Sequence, residues 1–304
     1  MFGKLWSAVV ILLGFMLAFG GCQTGQKSLI NVKGGGPPLS EATLPNYFVG
    51  EYFTFDDGTF EIVTEVSGEM VTWRTNQDTI SKGYRNFVIP VLSWTSNNRR
   101  SEAKTTASAD LLWPLAVGKK AQYDFQQTIS RHDGTESSEL SRTWTCTVEG
   151  TERVSVPAGT FDTYVVTCKR YSSSGRAWRA TRKFYYAPDL GHYVIREDDY
   201  RRSADKKRQM VSYGFSSTVL PQKDQITLNR KLQTALDKNV DGNASTWTNR
   251  KGDITVMLIP VRSFIGANGE KCREYHSVYS VKGRIRKNFR EVCRQPNGRW
   301  QRID

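Results

Sequence analysis

The chain has 304 residues, with 43 Lys and Arg against 30 Asp and Glu, and a formal net charge of +13. Beyond one apolar stretch near the start, no segment is hydrophobic enough to span a membrane, and about 280 further residues suffice for one large core or two smaller ones. The basic excess favours an anionic neighbour of the protein.

Residues 1–21 have the features of an export signal. One positive charge at Lys4 precedes an apolar run from Leu5 to Phe19, which is shorter than the ~20 residues of a comfortable membrane span. A buried first helix is the alternative, but little in the remaining chain is hydrophobic enough to surround it. We therefore expect a signal peptide and export from the cytoplasm.

The end of this signal resembles the bacterial lipobox, in which small residues precede a cysteine that receives lipid. Gly20 and Gly21 precede Cys22, whereas Phe19 departs from the usual leucine. The resemblance implies acyl chains on Cys22, palmitate among them, that anchor the protein to a membrane. Gln23, in place of an aspartate, implies the outer membrane and leaves open which side the protein faces.

Residues 22–47 contain the run Gly34-Gly35-Gly36-Pro37-Pro38 and few apolar side chains. This composition predicts a flexible tether with a reach of roughly 25–30 Å. Such a tether would hold the following domain away from the bilayer.

Residues 48–220 alternate apolar and polar side chains in short runs, which is typical of β-strands. Turn signals separate these runs, for example at Asp57-Gly58, at Pro157-Ala158-Gly159 and at 187–191. Because no helical run intervenes, we expect a mainly β fold with a strongly curved, half-barrel-like antiparallel sheet.

A second domain is predicted over residues 224–304. Its first part is an amphipathic helix from Asp224 to Lys238, where leucine and alanine recur at three- and four-residue spacing and Gly242 follows the end. Four or so strands follow, separated by turns at Lys251-Gly252, Asn268-Gly269, Lys282-Gly283 and Asn297-Gly298. We expect these strands to form a small antiparallel β domain.

Four cysteines remain once Cys22 is assigned to lipid, an even number that an oxidising compartment favours for disulfides. A hairpin turn at Lys282-Gly283 places Cys272 opposite Cys293 at a non-hydrogen-bonded pair, where Cα atoms approach to about 4.5 Å. The spacing therefore predicts a bridge between these two residues.

The other two cysteines, Cys146 and Cys168, straddle the turn at 157–159 but lie one residue out of register. A β-bulge near Gly150 would bring them level. We predict that they form the second disulfide.

Several segments of the last eighty residues form a recognisable set: Trp247-Thr248-Asn249, the run from Gly269 to Tyr275, Gly283, and the run from Cys293 to Trp300. This set resembles the C-terminal domain of the rickettsial 17-kilodalton surface antigen family of outer-membrane lipoproteins. The glycine-rich, membrane-associating segment usual before that domain is replaced here by the long β-rich region. Two segments of that region, "PAGTFDTYVV" and "FYYAPDLGHYVIRE", resemble periplasmic lipoprotein domains of unknown function.

One face of the C-terminal hairpin combines arginine and tyrosine, and guanidinium groups stack well on aromatic rings. It is a candidate surface for anionic lipid, lipopolysaccharide or wall polymer, while the compartment argues against nucleic acid. The alternative is a solvated face whose cross-strand pairs stabilise the hairpin. The residues concerned are Arg273, Tyr275, Tyr279, Arg284, Arg286 and Arg290.

Catalytic, metal and cofactor sites are not predicted. The histidines His132, His192 and His276 lie far apart in sequence, and disulfides would remove free thiolates. The carboxylate run Glu197-Asp198-Asp199 is expected in a solvated loop.

The favoured function is a non-enzymatic, lipid-anchored envelope lipoprotein that acts as a structural or binding module. The alternative is a carrier of lipid or another hydrophobic ligand, held by an apolar lining of the curved sheet in residues 48–220. A hydrolase is the least supported class.

Overall fold

The fold is given by a computed structural model that describes residues 35–302. The export signal, Cys22 and the first part of the predicted tether lie outside these residues. Within the described range, no helix is long and apolar enough to cross a membrane.

Twelve strands form a closed antiparallel barrel. Each strand pairs with its neighbours in sequence, and β1 pairs with both β2 and β12 to complete the ring. The strands are β1 Glu51–Phe55, β2 Phe60–Ser67, β3 Met70–Thr75, β4 Ile80–Tyr84, β5 Ser93–Thr95, β6 Arg99–Thr105, β7 Lys120–Arg131, β8 Ser137–Val156, β9 Gly159–Ser172, β10 Trp178–Ala187, β11 His192–Tyr200 and β12 Lys206–Phe215.

Short turns account for this up-and-down order. Gly58 and Gly68 have φ angles of 80° and 57° at the first two hairpin turns, a conformation that glycine adopts without steric cost. The prediction of a mainly β, strongly curved sheet is confirmed. The sheet closes fully because residues 51–55 pair with 210–215 at the other end of the domain.

The barrel is filled by aromatic and aliphatic side chains. Burial of one such side chain contributes roughly 1.5–3 kcal/mol, so this cluster is a main source of the barrel's stability. The large buried members include Phe53, Phe55, Trp113, Tyr123, Trp144, Tyr164, Phe184, Tyr186 and Met210.

The remainder forms helix α1 and a five-stranded antiparallel sheet in sequence order. The predicted helix is confirmed and begins two residues earlier, directly after Pro221. Its apolar face packs on the sheet, and Phe48 and Phe215 from the barrel join the same cluster. The elements are α1 Gln222–Lys238, β13 Ser245–Thr248, β14 Ile254–Ile265, β15 Lys271–Val281, β16 Arg284–Arg294 and β17 Trp300–Arg302.

The predicted tether is shorter than its expected range of 22–47, because residues 36–47 pack on the barrel. Ala42 and Leu115 exchange two backbone hydrogen bonds of 3.1 and 2.9 Å. The Tyr164 hydroxyl contacts the Ser40 carbonyl at 2.9 Å, and Tyr47 is buried. These backbone bonds and buried side chains hold residues 36–47 against the barrel, so this part of the predicted range is not a flexible tether.

Candidate functional site

Both pairs of cysteines predicted to form disulfides are joined in the structure. Cys272 lies opposite Cys293 in the β15–β16 register, with Cα atoms 4.0 Å apart. Cys146 lies opposite Cys168 between β8 and β9, also at 4.0 Å, and a register shift just before Gly150 brings them level. Each bridge closes a loop of 21 or 22 residues. On the chain-entropy estimate, each contributes about 3 kcal/mol of stability.

The arginine and tyrosine face of the C-terminal hairpin is not an exposed surface, which corrects the predicted anion-binding site. Four members, Arg273, Tyr275, Tyr279 and Arg286, are 8% exposed or less. The Tyr279 ring packs on Phe215 of the barrel with centroids 5.0 Å apart. The face is therefore buried against α1 and the barrel, a contact that local hairpin geometry does not predict.

A buried ion pair joins this face to the barrel. Arg286 donates from Nε and Nη2 to Oε1 of Glu51, with the Nε bond at 2.7 Å, and from Nη2 to the Leu190 carbonyl at 2.7 Å. The side chains of Arg286 and Glu51 are 5% and 0% exposed. Burial raises the pKa of Glu51, and the charge of Arg286 opposes that rise. Both charged groups therefore form part of the contact between the barrel and the C-terminal domain.

The two remaining arginines of the hairpin face also contact the barrel. Arg284 donates to the backbone carbonyls of Asn46 and Leu190. Arg290 donates from Nη2 to the Tyr52 hydroxyl at 2.8 Å. Arg273, in contrast, binds within its own unit, donating to the Leu236 carbonyl at 2.6 Å. All four arginines of the face thus already have protein acceptors.

A pocket of about 320 Å³ lies within the barrel and is lined by aromatic side chains and arginines. This volume is at the lower end of the range for small-molecule sites. Its charged lining consists of four arginines and a single glutamate. The lining residues are Tyr47, Glu61, Trp73, Thr75, Ser81, Tyr84, Arg85, Asn86, Phe87, Ile89, Pro90, Val91, Arg182, Phe184, His192, Tyr193, Arg196 and Arg208.

Two of these arginines share one buried aspartate. Arg182 and Arg196 each donate from Nε to a different carboxylate oxygen of Asp198, both at 2.6 Å. Burial alone would raise the pKa of Asp198, but the two guanidinium groups hold it below its ordinary value. The register sets this arrangement, because Arg182 pairs with Asp198 and the β11 residues two apart face the same side. The expectation of a solvated loop here is wrong, since Asp198 lies within a strand and points inward.

The other carboxylate of the pocket is also engaged. Arg208 donates from Nη1 to Glu61 at 3.1 Å and from Nη2 to the Tyr193 hydroxyl. Its guanidinium lies over the Phe55 ring at 4.4 Å from the centroid. Cations over aromatic faces are favourable, so this contact also stabilises Arg208 beside the pocket.

His192 lines the pocket and is 2% exposed. It stacks on Phe53 with ring centroids 3.9 Å apart, and its Nδ1 lies 2.7 Å from the Tyr47 hydroxyl. Burial, with the charges of Arg208 and Arg286, lowers the pKa of His192 well below its ordinary value. The ring is therefore neutral near pH 7. Its Nε2 has no hydrogen-bond partner among residues 35–302.

The structure also places the other histidines and the hairpin cysteines, for which no catalytic or metal site is predicted. His132 is exposed in a turn, and His276 packs edge-on against Phe289 with centroids 4.4 Å apart, in the pairing that the hairpin register predicts. The sulfurs of Cys272 and Cys293 lie near the carboxylate of Glu270, but they are bonded to each other. They are thus not available as thiolate ligands.

Sequence reasoning missed the pocket residues, although part of the signal was present. In "HYVIREDDY", Arg196 and Asp198 are two residues apart and so share a strand face. Their partners Arg182 and Arg208 come from neighbouring strands and depend on the full register. Tyr47, Glu61 and the residues of segment 86–91 reach the pocket only because the barrel closes.

Fold and pocket together define the class of this protein. It is a closed antiparallel β-barrel with an internal pocket of ligand size, joined through a buried contact to a small β domain. Each unit contains one disulfide bridge across a hairpin.

Two family models match the chain, one within the barrel and one within the C-terminal domain. Residues 93–215 match a family model described as DUF3108-like. Residues 234–301 match the model of the 17 kDa outer membrane surface antigen, which confirms the resemblance predicted for the C-terminal domain. This second match indicates a protein of the bacterial cell envelope.

The relatives found for the C-terminal part are 17 kDa surface antigens of Rickettsia species. The 17 kDa surface antigen of Rickettsia prowazekii is 28% identical over 83 residues, which are 27% of this chain and 52% of that protein. The antigen of Rickettsia bellii is 31% identical over 72 residues, 24% of this chain and 45% of that protein. The chain thus aligns with only about half of each relative. Among solved structures, the hypothetical lipoprotein YmcC from Escherichia coli matches with a TM-score of 0.38 and 11% identity, covering 53% of this chain and 82% of that one.

Proposed function

We propose that this protein is a non-enzymatic, lipid-anchored lipoprotein of the outer membrane whose barrel holds a small ligand. The observation that carries the proposal is the pocket of about 320 Å³, which joins aromatic side chains to four arginines inside a closed barrel. Such a concave, largely aromatic site with a few placed polar groups is the usual form of a small-molecule site.

The pocket supports binding more than the C-terminal hairpin does. The arginines of the hairpin face already donate to Glu51, Tyr52 and backbone carbonyls. An anionic envelope component would have to displace these buried bonds at a cost of a few kcal/mol. The pocket, in contrast, can accept a ligand without separating the two β units.

The arrangement of the pocket also supports a role without catalysis. Asp198 is bound by two arginines that keep it ionised, and Glu61 is bound by Arg208. The two guanidinium groups hold the pKa of Asp198 below its ordinary value, which makes Asp198 a poor general base. His192 is buried against Phe53 and neutral, which suits a rigid wall of the pocket.

The anchor is tested separately from the pocket. Labelled palmitate should be incorporated into the wild-type protein and should be absent after Cys22→Ser. Label that persists in this variant, or is missing from the wild type, would contradict lipid attachment at Cys22.

Ligand binding is tested by native mass spectrometry after mild extraction. A bound small molecule should accompany the wild-type protein and be lost in Ser81→Phe, which fills the pocket. Ser155 is exposed on β8, so Ser155→Phe is the matched control and should retain the molecule. Equal retention in both variants would place the ligand elsewhere, and repeatedly empty wild-type protein would argue against the carrier role.

A further inference from the structure

The charges around the pocket do not balance. Four arginines line it, while the carboxylates that face them are Glu61 and Asp198, so positive charges exceed negative ones by two. His192 adds no charge because it is neutral. In a low-dielectric interior such an excess is costly until an anion compensates it.

Unused donors lie where an anion would bind. Arg182 and Arg196 each donate to Asp198 through Nε, and neither donates a hydrogen bond from Nη to any residue between 35 and 302. Both side chains line the pocket. Guanidinium groups can bind a planar carboxylate through paired N–H donors, whereas each of these two gives Asp198 a single Nε bond.

More positive charge lies behind this pair on the same inner face. Arg170 stands opposite Trp144 in the β8–β9 register, and its guanidinium lies 5.7 Å from the centroid of that ring. It forms no ion pair with any residue between 35 and 302. Positive charge on the inner wall of the barrel therefore extends beyond the residues that line the pocket.

Pocket size limits the rest of the ligand. At about 30 Å³ per water-sized group, 320 Å³ accommodates about ten non-hydrogen atoms. Tyr47, Trp73, Phe87 and His192 also line the pocket and offer apolar contact. A whole membrane lipid is too large, whereas a short acyl chain or a single ring fits.

Resting on the proposed ligand-binding function, we propose that the barrel binds a carboxylate-bearing organic anion of about ten non-hydrogen atoms. Its carboxylate lies against the free Nη atoms of Arg182 and Arg196, and its apolar part lies among the aromatic side chains. The bound carboxylate compensates half of the local charge excess.

The test uses two probes of equal size, octanoate and octanamide, each with ten non-hydrogen atoms. Calorimetric titration of the full-length protein in lipid nanodiscs, with empty nanodiscs as the blank, should give at least tenfold tighter binding of octanoate. In Arg196→Gln, which leaves Arg182 on Asp198, octanoate should bind about ten- to a hundredfold more weakly and octanamide unchanged. Arg153 is an exposed arginine paired with Asp162 on the outer surface, so Arg153→Gln should change neither affinity.

The outcomes separate the inference from the function on which it rests. Equal affinity for the two probes would overturn the carboxylate assignment and leave the pocket as a binding site for uncharged molecules. Failure of both probes to bind the wild type would refute the pocket itself. Should near-UV circular dichroism show that Arg196→Gln is unfolded, Arg182→Gln provides the second variant, because it removes the other proposed contact and leaves Arg196 on Asp198. Unchanged octanoate affinity in the folded variant would refute the proposal.

Discussion

Replacing Arg286 by methionine should destabilise the contact between the barrel and the C-terminal domain more than the same replacement of an exposed arginine. The wild-type side chain is 5% exposed and donates to Glu51, which is 0% exposed, and to the Leu190 carbonyl. In Arg286→Met the Glu51 carboxylate stays buried without its partner. Breaking a buried pair in this way costs about 3–5 kcal/mol.

The effect has a matched control and a pH signature. Arg262→Met removes a pair with Glu274 whose side chains are 60% and 31% exposed, so it should cost less than about 1 kcal/mol. Without Arg286, burial raises the pKa of Glu51 further. A carboxyl whose folded pKa lies above its unfolded value loses stability as pH rises, so the penalty should grow from pH 5 to pH 8.

Urea unfolding of the full-length protein, followed by tryptophan fluorescence, measures both variants on one scale. The double variant Glu51→Gln/Arg286→Met should recover much of the loss, because no charge is left buried. If Arg286→Met costs no more than Arg262→Met, the hairpin face is solvent-exposed and the buried contact described above is wrong.

Two further predictions concern the barrel. His192 has a folded pKa well below its ordinary value, so the unfolded chain binds a proton that the folded chain does not, and the wild type should lose up to about 1.4 kcal/mol of stability per pH unit below about pH 6.5. His192→Phe should lack this pH dependence in urea unfolding between pH 7 and pH 5. An equal loss of stability in both proteins would contradict the assignment. At Gly214 an added Cβ would overlap the Asn288 amide, so Gly214→Ala should cost about 1–3 kcal/mol. Gly35→Ala, with nothing within 4 Å, should change the unfolding free energy by less than about 0.5 kcal/mol, and equal values for the two alanine variants would refute this packing.

Local rules were sufficient where one turn controls a short stretch of chain. The Lys282-Gly283 turn fixes the pairing of Cys272 with Cys293, since each residue on one strand then has a defined partner on the other. The one-residue mismatch around Cys146 and Cys168 similarly required a bulge, and the register shift before Gly150 supplies it. Alternating side chains and glycine turns were enough to predict a mainly β protein with one helix.

Local rules failed where the structure depends on packing between segments that are distant in sequence. The hairpin pattern places Tyr279 and Arg286 on one face, but Glu51, the partner of Arg286, is 235 residues away. Nothing near the hairpin indicates that its face is covered, so an exposed basic surface was the natural expectation. The same limitation hid the pocket, which needs the closure of β1 on β12.

By itself, the sequence therefore determined the strand pattern, the helix, the hairpin registers and the resemblance of the C-terminal domain to a surface antigen. These properties follow from the two-residue period of strands and from turn chemistry, which act over a few residues. Only the tertiary structure decided that the sheet closes, that four arginines converge on one pocket, and that the hairpin arginines are buried. Charge burial is a property of three-dimensional packing, because a guanidinium's partners are selected by distance in space and not by distance along the chain.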